Sequence, residues 1–410
     1  LTINLFICKN VYESEKIIIG DVMSIAQIRN NNQNATETVQ YFADEIVYEF
    51  SKHINKLCEI HSFSLVNWQF FQVIFSNKYP VWQTLLTSHF PSSFQINLPR
   101  LLPMNLYQHL KAIDNNMREG AYQTRTLAGH EDWINCVAVE DGKIISGSND
   151  LTIKIWDLES GKELQSLTGH DSSINCICVK DGLIVSASDD RTIKIWDPSS
   201  GEELQSLTGH QSCINCLIIE DKLIISGSND QTIKIWNLEN GKELQSLTGH
   251  QGSITSVKVL DGKVISGSAD RTIKIWDLES GEKLKSWTGH QGKITCLEAK
   301  AGKIFSGSDD GSIKIWDLKS GKMLQSLTGH QHSITSLKVI DGIIISGSAD
   351  RTIKIWDLES GEELQSLPAH EDFVSCLEVK DGMLISGSAD QTIKIWDFTP
   401  PSNILACNMG

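Results

Sequence analysis

Residues 129–168 read GHEDWINCVAVEDGKIISGSNDLTIKIWDLESGKELQSLT, and this stretch returns along the chain every 40 residues. Gly-His stands at 129, 169, 209, 249, 289 and 329, with Ala369-His370 in the seventh place. Each unit closes on Trp156-Asp157, Trp196-Asp197, Trp236-Asn237, Trp276-Asp277, Trp316-Asp317, Trp356-Asp357 or Trp396-Asp397. A fixed period of this length marks an array of one supersecondary unit that cannot bury its apolar faces alone. Within the first unit, INCVAV, KIISGS, TIKIWD and ELQSL are rich in β-branched residues and bounded by turn residues, so they read as four strands. Asp141-Gly142 between the first two signals a tight hairpin, because glycine takes the positive φ that such a turn needs.

The Gly-His and Trp-Asp pairs at this period resemble the WD40-repeat family. That resemblance implies an all-β, seven-bladed β-propeller, a ring whose closure removes exposed sheet edges. After Asp397 the chain turns to Thr399-Pro400-Pro401 and supplies no fourth strand for the last blade. Tyr122–Leu127 (YQTRTL) align with the KELQSL strand of the other units, so they are expected to complete it. The most chemical-looking residues are His130, Ser146, Asp150 and Trp156 with their 40-residue repeats. In the family these positions resemble an internal hydrogen-bond network, Asp to His and then to Ser and Trp, that satisfies buried polar groups. A catalytic reading competes, but seven copies argue for architecture, and neither a GxSxG elbow nor a GxxxxGK[ST] phosphate loop occurs. The expectation is a protein with no enzyme activity, no cofactor and no metal. Cys213 and Cys216 have CxxC spacing but sit inside one predicted strand, with no second pair at zinc-site spacing.

With 410 residues, 40% hydrophobic, 21% charged and 7% aromatic, the composition is that of an ordinary globular protein. The net charge of −15 belongs to the repeats, since residues 1–120 carry 9 Lys/Arg against 10 Asp/Glu. An acidic ring repels phosphate backbones and anionic bilayers, so protein partners are expected rather than nucleic acid or membrane. Five of ten cysteines (Cys136, Cys176, Cys216, Cys296, Cys376) share one strand phase with Ser256 and Ser336. They read as small buried packing residues on strands too far apart to bridge, hence as reduced thiols of an intracellular, cytoplasmic protein. For a source among intracellular bacteria, the host cytoplasm is expected. The chain opens on Leu1, which implies an unusual start codon or a missing preceding stretch, and LTINLFICKNVYESEK is interrupted by Asn4 and Lys9 before a signal-like core forms.

Partner contacts are expected on the face reached by the residues just before and within each first strand and by the turn before the third, as the family resemblance implies. The third residue after each His runs Trp133, Ser173, Cys213, Ser253, Lys293, Ser333 and Phe373. The fifth runs Asn135, Asn175, Asn215, Thr255, Thr295, Thr335 and Ser375. Trp133 and Phe373 belong to the first and last blades, which become neighbours on closure, and each follows Glu-Asp (Glu131, Asp132, Glu371, Asp372). Two aromatics with an acidic rim suit a target with a basic, partly apolar segment. The competing reading is that both rings only pack at the seam. Phosphodegron readers of the F-box/WD40 type use arginines at the fifth and pre-Asp positions, and here the pre-Asp residues are Asn149, Asp189, Asn229, Ala269, Asp309, Ala349 and Ala389. Arg191, Arg271 and Arg351 follow the Asp and are expected as solvated charges on the rim.

Upstream the pattern turns helical. Residues 42–86 resemble a degenerate F-box: Asp44-Glu45, then Ile46, Val47 and Phe50, Leu57, Leu65-Val66, Trp68, and Trp82 before Leu85-Leu86. Phe42-Ala43 replaces the usual Leu-Pro opening. The stretch Leu106 to Gly120 resembles the helical linker of that family, with Met117 where Trp is usual. The domains read as a flexible segment over 1–40, an F-box-like part over 41–88, a linker over 89–120, a propeller over 121–398 with closing strand 122–127, and a tail over 399–410. The resemblance implies a substrate-recognition subunit of an SCF-type ubiquitin ligase, in which Ile46, Val47, Phe50 and Leu57 bind a Skp1-like adaptor. The alternatives are a WD40 scaffold without a ubiquitin link, whose helices cap the ring, and a phosphopeptide reader.

Overall fold

The computed structural model describes residues 112–399 apart from Asp341. The F-box-like part over 41–88, with Ile46, Val47, Phe50 and Leu57, lies outside the described residues, as do residues 1–40 and the tail beyond Thr399.

Seven four-stranded antiparallel sheets make the blades of a propeller. In blade 1 the strands Ile134–Glu140, Lys143–Ser148, Thr152–Asp157 and Glu163–Thr168 follow one another in order. Asp141 (φ 47°) and Gly142 (φ 69°) both take left-handed backbone, the two-residue turn whose twist matches that of its strands. The first strand of each blade packs on the first strands of both neighbours, so it is innermost. Apolar faces meet between blades: Ile145, Ile153 and Ile155 of blade 1 pack on Ile174, Ile177, Ile184 and Trp196 of blade 2. No blade has a core of its own, which is why a repeat of this kind is stable only as an array.

Blade 7 is made from both ends of the chain. Gln123–Ala128 pairs antiparallel with Thr392–Asp397, from Gln123 opposite Asp397 to Ala128 opposite Thr392. The closing strand thus exists, one residue later than the expected 122–127. Leu127 enters the seam core with Ile134, Val137, Ile144 and Trp156 of blade 1 and Ile385, Ile393 and Ile395 of blade 7. The helix at 112–119 joins blade 7 to blade 6 from outside. Asn116 Nδ2 donates to Phe398 O at 2.7 Å, Arg118 pairs with Asp357 of blade 6 at 2.7 Å, and Gln365 Nε2 donates to Arg118 O at 3.0 Å. Met117 is buried, which explains how it can stand in an aromatic residue's place.

One expectation about the cysteines is corrected. Equivalent first strands are not far apart, because they touch around the axis: the Leu217 N–H of blade 3 donates to Cys176 Sγ of blade 2 at 3.4 Å. The described cysteines are nonetheless free. No helix among the described residues is long and apolar enough to cross a membrane.

Leu127→Ala should destabilise the ring by about 2–5 kcal/mol, as truncation of a buried leucine does. Leu164→Ala, at the same kind of outer strand but 55% exposed, should change stability by no more than about 0.5 kcal/mol. Urea unfolding of the two variants checks the contrast.

Candidate functional site

The network expected from the family forms in all seven blades. His Nδ1 lies 2.6–2.9 Å from the Asp carboxylate. His Nε2 lies 2.7–2.8 Å from the Ser hydroxyl. Trp Nε1–H donates to that same hydroxyl at 2.8–2.9 Å. Trp has only a donor and carboxylate only acceptors, so the Ser oxygen accepts from Trp and Nδ1–H donates to Asp. A Cβ at Gly129 would stand 2.9 Å from the Trp156 ring, and the seventh blade takes Ala369 at the corresponding place.

Burial on its own would lift the seven carboxyls, but hydrogen bonds outweigh it. In blade 1, His130 Nδ1 and the Glu131 N–H reach one oxygen of Asp150, while the Thr152 hydroxyl and N–H reach the other. Asp230 and Asp350 are held down at about 2, and Asp150, Asp190, Asp270, Asp310 and Asp390 are also lowered. Burial pushes His210, His250, His290, His330 and His370 below the ordinary imidazole value, against the pull of their Asp partners. With both imidazole nitrogens engaged in the interior, the network holds the loop before the first strand and the turn before the third against the second and third strands.

The loops it positions are those that carry the predicted contact residues. The Asn149 N–H donates to Trp133 O at 2.9 Å and Ser148 Oγ to Asp132 O at 3.1 Å, which joins the turn before the third strand to the loop before the first. Trp133 and Phe373 meet across the seam edge to face, with centroids 5.0 Å apart and planes at 83°. Trp133 stays 43% exposed, while Phe373 is half-buried. The rings pack on each other, as the packing reading expects, and the indole still presents a face to solvent. Asp132 and Asp372 each accept the N–H of the aromatic that follows, at 2.7 and 2.8 Å. Glu131 and Glu371 are exposed beside them. Lys293 is exposed but pairs with Asp309 at 3.4 Å. Arg191, Arg271 and Arg351 are exposed on turns.

Asn135, Asn175 and Asn215 turn out to hold the ring together. Every first strand carries a bulge after its first residue, which frees the fifth residue after His from the ladder. The freed side chain reaches the next blade. Asn135 donates to Ile174 O, Asn175 to Ile214 O, Asn215 to Ile254 O, Thr255 to Ile294 O, Thr295 to Ile334 O and Thr335 to Val374 O, at 2.5–3.0 Å. Ser375 donates to Ile134 O and completes the circle. The three asparagines also donate to Asn149, Asp189 and Asn229 in their own blades. Their donors are thus engaged inside the ring. Sequence reasoning missed this role, and it missed the inter-blade ion pairs Lys258 to Glu298 (3.0 Å) and Lys338 to Glu378 (2.8 Å) between innermost strands. A signal was present in both cases: every fifth residue can donate a hydrogen bond, and charges alternate at the eighth position from Lys258 to Glu378. Cys213 and Cys216 point apart, the first toward Asp189 and the second to Gly227 O, and no group of three metal-ligating side chains occurs among the described residues.

Residues 213–397 match the family model of a WD40-like domain, and residues 121–157 and 161–197 match that of a WD domain, G-beta repeat. A stretch of 60 residues is 40% identical to "Probable E3 ubiquitin ligase complex SCF subunit sconB" of Aspergillus fumigatus, covering 15% of this chain and 9% of that protein. Another of 40 residues is 55% identical to "Pleiotropic regulator 1" of Homo sapiens, covering 9% and 8%. The chain therefore spans less than a tenth of these curated relatives. Among solved structures, the WD40 beta propeller domain of Doa1 is similar over 68% of this chain and 97% of its own, with 30% identity and a TM-score of 0.62. The computationally designed Ika8 protein is similar over 66% and 98%, with 35% identity and a TM-score of 0.55.

The pH dependence of stability follows from the network. Below about pH 6.5 the unfolded chain takes up protons that the buried imidazoles of His210, His250, His290, His330 and His370 refuse, so stability falls with pH, and it falls again below about 3.9 as unfolded carboxyls protonate ahead of the folded ones. Thermal melts between pH 8 and pH 4 should show the midpoint dropping from about pH 6.5 downward; a midpoint that rises over that range contradicts the assignment.

Proposed function

Because the chain belongs to the WD40 repeat family, we propose that it is a protein-interaction module whose ring holds a target protein without catalysing a reaction. The observation that carries this reading is the exposed Trp133 set against Phe373 at the seam, with Glu131, Asp132, Glu371 and Asp372 around it. A rigid indole with one open face offers apolar area at small entropic cost, as interface anchors do. The carboxylates favour a basic segment on the target and disfavour an acidic or phosphorylated one.

The finer proposal is that the chain is the substrate-recognition subunit of an SCF-type ubiquitin ligase. It is supported by the F-box-like order of residues 42–86 and by the likeness to a protein described as an SCF subunit. In this reading Ile46, Val47, Phe50 and Leu57 engage a Skp1-like adaptor. The ring then raises the local concentration of target beside a ubiquitin-loaded enzyme, and other subunits perform the transfer.

A pull-down of residues 36–410 with a purified Skp1-like adaptor tests the finer proposal. Capture by the wild type, lost in Val47→Asp, Phe50→Asp with an unchanged circular-dichroism spectrum, is the expected result. No capture by folded wild type would leave a WD40 scaffold without a ubiquitin link.

A further inference from the structure

The seven blades are near copies, so a blade that departs from the rest in two adjoining strands stands out. Six blades carry Ser-Gly-Ser in the second strand, whereas blade 2 carries Ser186-Ala187-Ser188. Blade 2 is also the blade with a second cysteine in its first strand, Cys178 two places after Cys176.

The two departures are connected. In blades 1 and 3, Cys136 and Cys216 tuck under the central glycine of the second strand and donate to Gly147 O and Gly227 O at 3.9 and 3.8 Å. A Cβ on Gly147, Gly227, Gly307 or Gly387 would come within 2.6–2.8 Å of the neighbouring cysteine sulfur. Ala187 carries that carbon. Cys176 Sγ accordingly lies elsewhere, accepting the Leu217 N–H of the next blade at 3.4 Å. Ser256 and Ser336 fill the same place in blades 4 and 6, accepting from Leu297 N and Leu377 N at 3.1 Å. Cys176 Sγ and Cys178 Sγ both reach the same oxygen, Leu217 O, at 3.6 and 3.4 Å. Both are half-buried, where Cys136 and Cys216 are buried.

The surroundings favour charge on one sulfur of the pair. The Cys178 thiol foremost, then the Leu217 backbone, Lys258 and Lys338, outweigh burial and lower the pKa of Cys176. Cys178 is pushed up by its negative neighbour and by burial. Cys136 and Cys216, the other thiols facing this place, are raised by burial first.

We propose that Cys176 is a modification site for hydroperoxides, with Cys178 as its resolving thiol, and that Ala187 builds the site by denying Cys176 the buried position of its counterparts. The Cys176 thiolate attacks the peroxide O–O bond. An S–O bond forms, the O–O bond breaks, and the leaving oxygen takes a proton to depart as an alcohol, or as water from hydrogen peroxide. Sulfur is oxidised to a sulfenic acid and the peroxide is reduced. Cys178 sulfur then attacks Cys176 sulfur, forming the S–S bond, and the sulfenic hydroxyl leaves as water with the Cys178 proton. Two thiols and one hydroperoxide thus give one disulfide, one water and one alcohol.

Trypsin releases residues 163–180 as one peptide that holds Cys176 and Cys178 and no other cysteine. The reduced, folded full chain is treated with one equivalent of hydrogen peroxide at pH 7, alkylated after denaturation, digested and weighed. The 163–180 peptide should become lighter by two hydrogen atoms and lose both labels about ten-fold faster than Cys136 or Cys216 is oxidised. Cys178→Ser should instead accumulate a dimedone-reactive sulfenic acid at Cys176. Ala187→Gly keeps both cysteines, and its oxidation should slow by about ten-fold, toward the rate of Cys136. Retention of both labels on the wild-type peptide, or oxidation of Ala187→Gly at the wild-type rate, would overturn the proposal.

Discussion

The backbone ladder between Gln123–Ala128 and Thr392–Asp397 is the constraint on which the rest of the molecule depends. Residues nearly 270 positions apart in sequence become one sheet, and that sheet turns a row of blades into a ring. Without it, blade 7 would show a bare edge and Ile134 of blade 1 would lack its counterparts Ile385 and Ile393 in the seam core. The same closure sets Trp133 against Phe373 and lets Ser375 reach Ile134 O. The fold and the candidate binding face are therefore consequences of one pairing.

Two hydrogen-bond systems divide the work inside that ring. The Asp, His, Ser and Trp of each blade tie its loops to its own strands through buried groups whose donors and acceptors are all matched. The bulged fifth residues tie each blade to the next. A bulge removes one residue from the ladder and turns its side chain sideways, so the same irregularity that interrupts a sheet supplies the link between sheets. Loops held from both directions can present side chains such as Trp133 at fixed positions, which limits the entropy lost when a partner binds.

The architecture was legible because each of its parts is repeated seven times. Gly-His, Trp-Asp and the alternating strands returned at 40 residues, and YQTRTL could be aligned with KELQSL even though it lies at the other end of the chain. The pairing of Trp133 with Phe373 was legible as well, since ring closure makes their blades neighbours. The role of Asn135, Asn175 and Asn215 was not. Those positions alternate among Asn, Thr and Ser, which look like surface variation, and the bulge that gives them one shared task leaves no mark on the hydrophobic pattern. The distance argument for the cysteines failed for a related reason: strands in different sheets were taken as separate, whereas the innermost strands of neighbouring blades touch. At Cys176 the sulfur turns to the next blade, and the residue opposite it is Ala187 where six blades carry glycine.

The account's central claim is that a partner protein is held at the seam face. Its most direct test is site-specific photo-crosslinking in the cells that make this protein, with the crosslinking residue placed at position 133, at 373, or at the exposed outer-strand Leu204. The account predicts that positions 133 and 373 capture the same protein and that position 204 does not. Capture of that protein equally well from position 204, or of unrelated proteins from 133 and 373, would contradict it.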